Sequence, residues 1–329
     1  MSDYAAVVDM GGTNVRIGRF DLESNEISSI ESRSSAFPEL AVDDLGEDEL
    51  ASTIAGSISR VLHDGGLAKP AAIGVAFAGP VDAQSRILSA PTILFDRVTK
   101  PLPIGEHFQR IWPRSQVAIL NDVSAAGYRH VFEHGHTDFC IITVSSGIGN
   151  KVFLAGEPVV GPSGKGGEIG HLRVDFSSAA PLCDCGFPGH LGSISSGRGT
   201  LAIAASICAR ADNSRSALPR NSELTNEALA AAFRAGDPLA HEIIDEAARP
   251  LGHAMASIHM SLGIERFIIM GGFAAACGEE YCDVLARNAQ AACAGALESD
   301  WSEMIELDGD DHSGLIGAGY FLKKRIGRA

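Results

Sequence analysis

The sequence has no apolar run long enough to cross a bilayer, and no basic segment followed by an apolar core marks a secretory signal. We therefore expect no membrane-spanning helix and a cytoplasmic location. Positive charge is scarce as well, since 26 Lys and Arg stand against 41 Asp and Glu, a net charge of −15. A surface that binds duplex nucleic acid or an anionic membrane needs an excess of basic side chains, so we predict neither partner.

Evenly paired cysteines are also missing, because the chain has an odd count of seven. A chain of 329 residues is long enough to fold without disulfide staples, which favours free thiols in a reducing compartment. The hydrophobic content of 45% and the charged content of 20% are typical of a globular protein with a sizeable core. The length predicts one large or two ordinary domains.

The most informative motif lies between two apolar runs that predict buried strands, and it reads Asp9-Met10-Gly11-Gly12-Thr13-Asn14. Adjacent glycines in a turn let a ligand approach the backbone, and the N–H groups of such a turn form a nest for anionic oxygens. The Asp9 carboxylate, just before the nest, can hold Mg²⁺ directly or through water. The motif therefore predicts a nucleotide phosphate site, whereas the alternative is a plain tight hairpin.

Apolar periodicity predicts an alternation of strands and helices along the chain. The strands are predicted at about 4–10, 15–21, 26–32, 73–77, 117–120, 139–144, 151–154 and 267–270. The helices are predicted at about 47–63, 123–133, 195–211, 225–235, 238–262 and 313–324. Pro250 predicts a kink or a split in the helix over 238–262, and Asp237-Pro238 predicts its start.

Two further glycine-containing turns follow predicted strands in the second half of the chain. Ser145-Ser146-Gly147-Ile148-Gly149 is a second small-residue turn, and Gly271-Gly272 ends a later strand. Ligands of such sheets bind beyond the carboxyl ends of strands. The Ser145–Gly149 turn is therefore a candidate for a second phosphate clamp, and Gly271-Gly272 is a candidate for an adenosine contact. The alternatives are an ordinary hairpin and simple strand termination.

Asn121-Asp122 ends an apolar strand and starts a predicted helix. One interpretation is a helix N-cap. The other is a general base, because an aspartate bonded to a substrate hydroxyl can take its proton as the oxygen attacks a phosphate. Glu168 and His171, three positions apart in a glycine-rich stretch, suit sugar hydroxyls, although a polar surface loop is the alternative.

Four potential zinc ligands lie within 20 residues of one another: His171, Cys183, Cys185 and His190. Two thiolates and two imidazoles make a tetrahedral zinc set. The Cys-x-Cys spacing is tighter than that of a common zinc finger, and it also occurs by chance. The pattern predicts a structural zinc site. The other five cysteines stand in apolar or helical surroundings typical of core residues.

The order of these motifs resembles the ROK family of sugar kinases, the glucokinase-like branch of the actin/hexokinase superfamily, over essentially the whole chain. The resemblance implies an α/β, two-lobed actin-like ATPase (ribonuclease H-like) fold with a central cleft. We expect lobes of residues 1–121 plus 313–329 and of residues 122–312. It also implies ATP and Mg²⁺ as cofactors, structural Zn²⁺, a sugar or cyclitol as substrate, and a homodimer.

The resemblance also implies residue roles, with Asp122 as catalytic base. The residues implied to bind the substrate are Asn121, Asp122, Glu168, His171, Gly79 and Thr92. Those implied to bind ATP and its phosphates are Asp9, Gly11, Gly12, Thr13, Asn14, Ser145, Ser146, Gly147, Gly149, Gly271 and Gly272. The implied metal ligands are His171, Cys183, Cys185 and His190 for zinc, and Asp9, through water, for magnesium.

Three residues depart from the family pattern. His190 replaces a usual third cysteine, Gly192 replaces a glutamate that grips the sugar near its anomeric side, and Thr92 stands where the family usually has Asn. With His190, the Cys₂His₂ set still suits zinc. The changes at positions 192 and 92 favour a modified hexose, such as an amino sugar, or a C7-cyclitol, because a pocket built to bond a hydroxyl rejects ligands lacking it. A sugar-sensing regulator is disfavoured because only eight residues precede Asp9, and a silent sugar-binding module is disfavoured by Asp9 and Asp122.

Overall fold

A computed structural model describes residues 4–35, 37, 40, 45–94, 98, 100–208, 216, 218, 224–294 and 300–327. The chain forms two compact units. The first comprises residues 1–137, 156–166 and 312–329, and the second comprises residues 138–155 and 167–311. The first unit thus continues to residue 137, whereas the lobe boundary expected from the sequence follows residue 121.

Ten strands occur in the described part of the chain. They are β1 (Tyr4–Met10), β2 (Asn14–Asp21), β3 (Ile27–Ser34), β4 (Ala72–Phe77), β5 (Gln116–Asn121), β6 (Phe139–Val144), β7 (Ile148–Leu154), β8 (Glu157–Pro158), β9 (Phe267–Met270) and β10 (Ile305–Leu307). One five-stranded sheet has the order β3-β2-β1-β4-β5, and the other has the order β10-β9-β6-β7-β8. In both sheets a parallel set is extended by an antiparallel hairpin, β1–β2–β3 in the first and β6–β7 in the second.

Twelve α-helices and a short 3₁₀ helix (Ile169–His171) also occur in the described part. The α-helices are α1 (Glu47–Asp64), α2 (Pro91–Leu94), α3 (Ile104–Ile111), α4 (Asp122–His134), α5 (Gly192–Ser195), α6 (Gly197–Cys208), α7 (Asn226–Arg234), α8 (Pro238–Leu262), α9 (Gly272–Cys277), α10 (Glu279–Cys293), α11 (Trp301–Met304) and α12 (Ser313–Arg325). No described helix is long and apolar enough to cross a membrane.

The first sheet carries a hydrophobic core on each face, because its strands alternate their side chains between the two. On one face, α1 and α3 pack against Val8, Ile73 and Val75. On the other, α12 covers Ala5 and Val7 and packs closely along α4. The second unit has one large core, in which α8 and α10 pack together beside β6 and β9.

Most predicted elements are present, but the helices α2, α3, α9, α10 and α11 and the strands β8 and β10 have no counterpart in the prediction. Three further differences concern elements that the sequence does predict. The segment predicted as one helix over 195–211 is broken at Ser196 into α5 and α6, and residues 209–211 lie outside the described part. Pro250 does not split α8, so that part of the prediction is wrong. Strand β7 begins at Ile148, three residues before its predicted start. The predicted start of α8 is confirmed, since Asp237 Oδ1 accepts from the N–H groups of Leu239 and Ala240.

Gly317 permits the close packing of α12 on α4, which gives a test of the first unit's core. A Cβ at Gly317 would lie 1.7 Å from the carbonyl oxygen of Ala125. We expect Gly317→Ala to lower the free energy of unfolding by about 1–3 kcal/mol, because the helices must separate. Urea denaturation measures the change.

Gly56 in α1 provides the matched control, since a Cβ there meets nothing within 4 Å. Gly56→Ala is expected to raise stability by about 0.5–1 kcal/mol through helix propensity alone. An unfolding midpoint for Gly317→Ala at or above that of the wild type would contradict this packing.

Candidate functional site

The first unit gathers three of the sequence motifs at one edge of its sheet. Met10 pairs with Phe77, and Phe77 pairs with Asn121, so β1, β4 and β5 end level with one another. The residues that follow these ends are the Gly11–Asn14 turn, Ala78-Gly79 and Asp122. The parallel register therefore brings the candidate phosphate turn and the candidate base to the same edge.

The Gly11–Asn14 turn is a tight hairpin whose tip is open. The Gly11 N–H donates to the carbonyl oxygen of Asn14 at 3.0 Å, and Gly12, Thr13 and Asn14 are exposed. Asp9 is the second-last residue of β1, and its Oδ2 lies 3.5 Å from Nη1 of Arg16 on β2. A carboxylate so placed suits a hydrated cation beside the turn.

Strand β5 passes directly into α4 at Asn121-Asp122, with no intervening loop. Asn121 is the N-cap, because its Oδ1 accepts from the Ser124 N–H at 3.1 Å. Its Nδ2 donates to Asp122 Oδ1 at 2.7 Å and to the Gly79 carbonyl at 3.2 Å. Asp122 Oδ1 also accepts from the Val123 N–H at 2.9 Å. The N-cap and the general base are therefore compatible interpretations, carried by different residues.

Gly79 and Thr92 were the remaining substrate-contact candidates of this unit. Gly79 has φ +149°, and a Cβ there would lie 2.1 Å from the Ser89 carbonyl oxygen, so the backbone needs glycine. Thr92 lies in α2, but its side chain is outside the described part of the structure.

The second unit brings its two glycine motifs to one edge in the same way. Thr143 pairs with Met270 in parallel register, so the Ser145–Gly147 turn and Gly271 leave the sheet side by side. Gly271 has φ +100°, and a Cβ there would lie 2.7 Å from the Val144 carbonyl oxygen. At Gly272, the first residue of α9, a Cβ would meet nothing within 4 Å.

The start of α6 is bonded to the Ser145–Gly147 turn. The Gly197 N–H donates to the Ser145 carbonyl at 2.8 Å, and Arg198 Nε donates to the Ser146 carbonyl at 2.7 Å. Arg198 also forms an ion pair with Asp184 at 2.5 Å. The turn is thus coupled through Arg198 to the loop that holds the two neighbouring cysteines.

The Glu168–His171 segment packs against strand β7. The Ile169 N–H donates to Asn150 Oδ1 at 3.1 Å, and residues Ile169–His171 form one turn of 3₁₀ helix. Gly192 lies against this segment, since a Cβ there would be 3.1 Å from the Gly170 carbonyl oxygen. A side chain at position 192 would therefore begin beside the backbone that carries Glu168 and His171.

The four predicted zinc ligands lie together in the second unit. One ligand atom from each of His171, Cys183, Cys185 and His190 lies within 4.8 Å of all the others. Sγ of Cys185 is 3.2 Å from Nδ1 of His190, and Sγ of Cys183 is 3.9 Å from Nδ1 of His171. Two sulfurs and two imidazole nitrogens at such separations fit a tetrahedral zinc ion once the thiols are deprotonated.

The local electrostatics of this cluster suit metal binding at His190 and oppose thiolates without metal. Burial lowers the pKa of His190, aided by the neighbouring His171 and Arg173, which favours the neutral imidazole that binds metal. Burial raises the pKa of Cys183, so its thiolate is disfavoured until a cation is near. The buried Cys140, Cys277 and Cys282 have a pKa of about 12 through burial and are core thiols.

Three functional candidates carry no motif of their own: Asn150, Lys151 and Arg198. Asn150 and Lys151 are buried polar residues in β7. The only signal in the sequence is that this polar pair interrupts an apolar strand. Arg198 becomes a candidate only through its tertiary contacts with Ser146 and Asp184.

The comparisons with known proteins agree with one another. A C(7)-cyclitol 7-kinase from Streptomyces hygroscopicus subsp. limoneus is 38% identical over 98% of this chain and 94% of its own length. A kanosamine kinase from Amycolatopsis mediterranei is 28% identical over 83% of this chain and 81% of its own. The ROK glucokinase of Streptomyces griseus, solved with glucose and AMPPNP, has a TM-score of 0.76 at 23% identity, covering 98% of this chain and 99% of that one.

The structural similarity confirms the predicted α/β, actin-like ATPase fold class. A family model described as ROK family matches residues 5–325. Since this match spans nearly the whole sequence and the cyclitol kinase exceeds 30% identity over it, the protein belongs to the ROK family.

Proposed function

We propose that this protein is an ATP-dependent kinase that transfers the γ-phosphate of ATP to the primary hydroxyl of a C7-cyclitol or a closely related hexose. The observation that carries the proposal is the position of Asp122 at the same sheet edge as the Gly11–Asn14 turn. The cyclitol is favoured because the cyclitol kinase relative matches almost the full length of both chains.

Asp122 is the general base of the proposed reaction. Its Oδ1 is held by Asn121 Nδ2 and the Val123 N–H, which fixes the orientation of the carboxyl group. The carboxylate would accept the proton of the acceptor hydroxyl as that oxygen attacks the γ-phosphorus, and ADP would leave. Asn121 also donates to Gly79, so the two residues are tied to the end of β4.

The glycine turns are the candidate nucleotide-binding residues. We assign the phosphates to Gly11, Gly12, Thr13 and Asn14, with Ser145, Ser146, Gly147 and Gly149, and the adenosine to Gly271-Gly272. Asp9 would hold Mg²⁺ through its water shell. Bound Mg²⁺ neutralises charge on the phosphate oxygens.

The ring of the acceptor would contact Glu168 and His171. A glutamate in the place of Gly192 would add an acceptor at that end of the ring, and its absence removes one. We therefore favour an acceptor that differs from glucose there, as a C7-cyclitol or a modified hexose does.

A zinc ion in the cluster of His171, Cys183, Cys185 and His190 would be structural. It would cross-link the loop that carries both cysteines to the end of the Glu168–His171 segment, because His171 is both a proposed zinc ligand and the last residue of that segment.

The homodimer and the cytoplasmic location also remain predictions. Analytical ultracentrifugation would measure the oligomeric state.

A panel of acceptors tests the substrate assignment. We expect ATP consumption with a C7-cyclitol such as valienol, and a kcat/KM for it at least about tenfold above that for glucose, since the pocket lacks one hydroxyl acceptor. A coupled ADP assay measures both. A highest kcat/KM for glucose by an order of magnitude would contradict the assignment, and no turnover with any acceptor would favour a silent binding module.

Asp122→Asn tests the base. We expect kcat to fall by at least about 10²-fold while acceptor binding is retained, because the amide keeps the shape but takes no proton. Asp64→Asn is the matched control, since Asp64 is an exposed carboxylate at the end of α1. Turnover of Asp122→Asn close to that of the Asp64 variant would require a different base.

Cys183→Ser tests the zinc site against Cys208→Ser, because both cysteines are half-buried thiols of the same unit. We expect the wild type and Cys208→Ser to hold one zinc per chain. Cys183→Ser should lose most of the metal and melt at a lower temperature, because metal binding contributes to the stability of the loop. Elemental analysis and differential scanning fluorimetry measure the two effects. Equal zinc content in both variants would exclude Cys183 as a ligand.

A further inference from the structure

Lys151 is a buried cation within a strand that is otherwise largely apolar. Its side chain is only 3% exposed, whereas lysine is almost never buried unless it is paired. It pairs with Ile141 in the β6–β7 hairpin, and its Nζ lies 3.6 Å from Oε1 of Glu168. The partner carboxylate is half-exposed, with 46% of its side chain accessible.

The backbone of the Glu168 segment is shaped to admit this lysine. Gly167 has φ +72°, and a Cβ there would lie 2.9 Å from Cδ and 3.1 Å from Nζ of Lys151. The neighbouring Asn150 accepts from the Ile169 N–H, so β7 contacts both sides of Glu168. The ammonium group is therefore held behind the carboxylate and is covered from solvent.

This arrangement determines the charge that a ligand meets at Glu168. A lone carboxylate attracts a cationic amine more than a hydroxyl, while an ammonium group 3.6 Å behind it cancels most of that preference. Because Lys151 is buried, it acts on a ligand through Glu168 and does not contact it. The pair still leaves carboxylate oxygens that accept hydrogen bonds from hydroxyl groups.

We propose that Lys151 is a specificity-determining residue whose ammonium group neutralises Glu168 and thereby selects an uncharged polyol over a protonated amino sugar. The inference rests on the proposed function, since it places Glu168 beside the acceptor ring. It narrows that function to neutral acceptors, and so to a cyclitol or hexose without a basic amine.

The test is the ratio of kcat/KM for amino-glucose, with the amine at C2 or C3, to kcat/KM for glucose, at a pH where the amine is protonated. Lys151→Met keeps most of the side-chain volume and removes the charge. We expect it to raise the ratio at least about threefold for one of the two amines, because the carboxylate is no longer compensated. Glu168→Gln should lower the same ratio, and the double variant should return it towards the wild-type value.

Lys100→Met is the control, since Lys100 is an exposed lysine of the first unit and its removal changes the net charge equally. We expect its ratio to equal that of the wild type. If Lys151→Met raises the kcat/KM ratio and Glu168→Gln lowers it, the effect is due to charge. A loosened pocket would instead lower kcat/KM for both sugars alike and leave the ratio unchanged. If Lys151→Met loses its cooperative melting transition, Lys151→Gln takes its place.

A ratio in the lysine variant equal to or below that of the wild type would overturn the inference. A wild type that phosphorylates neither sugar nor cyclitol would overturn the proposed function instead. In that case calorimetric Kd values for glucose and the two amino-glucoses give the same ratio from binding alone, and an unchanged ratio there likewise refutes the role of Lys151.

Discussion

The direct passage of β5 into α4 at Asn121-Asp122 is the constraint on which the proposed chemistry depends. One amide side chain caps the helix, bonds the carbonyl of Gly79 and orients the neighbouring carboxylate. Because Asn121 makes all three contacts, the Asp122 carboxylate has little freedom to turn away from the sheet edge. The parallel register then brings it to the same sheet edge as the Gly11–Asn14 turn, with the end of β4 between them. Local helix capping and sheet pairing therefore suffice to organise half of the site.

The second unit uses the same construction for different groups. Parallel pairing of β6 with β9 aligns the Ser145–Gly147 turn with Gly271, and glycine is needed there because a Cβ would strike the backbone of β6. Two polar residues of β7 contact the Glu168 segment. Asn150 accepts a hydrogen bond from the Ile169 N–H, and Lys151 forms an ion pair with the Glu168 carboxylate at 3.6 Å. Under the proposal made above, β7 would contribute to specificity as well as to the sheet, since Lys151 would neutralise Glu168 beside the acceptor.

Local patterns are sufficient to predict most strands and most of the long helices, because apolar periodicity reports which face of an element is buried. The 15-residue helix α10 is the exception, since no helix over Glu279–Cys293 is predicted from the sequence. Local patterns also predicted that the four candidate zinc ligands lie close together, because their spacing in the sequence is short. They failed where tertiary contacts decide. The bonds from Gly197 to Ser145 turn the chain at Ser196, which helix propensity does not register. The role of Lys151 could not be predicted either, because it depends on the ion pair with Glu168, which is 17 positions away in the sequence but 3.6 Å away in the structure.

The most direct test of the central claim is a crystal structure with a non-hydrolysable ATP analogue and a cyclitol acceptor bound together. We expect the Asp122 carboxylate to lie within about 2.6–3.2 Å of the primary hydroxyl oxygen of the acceptor, with that oxygen in line with the γ-phosphorus. We also expect the phosphates of the analogue to contact the Gly11–Asn14 turn. A complex in which Asp122 faces away from the acceptor, or in which the nucleotide binds elsewhere, would contradict it.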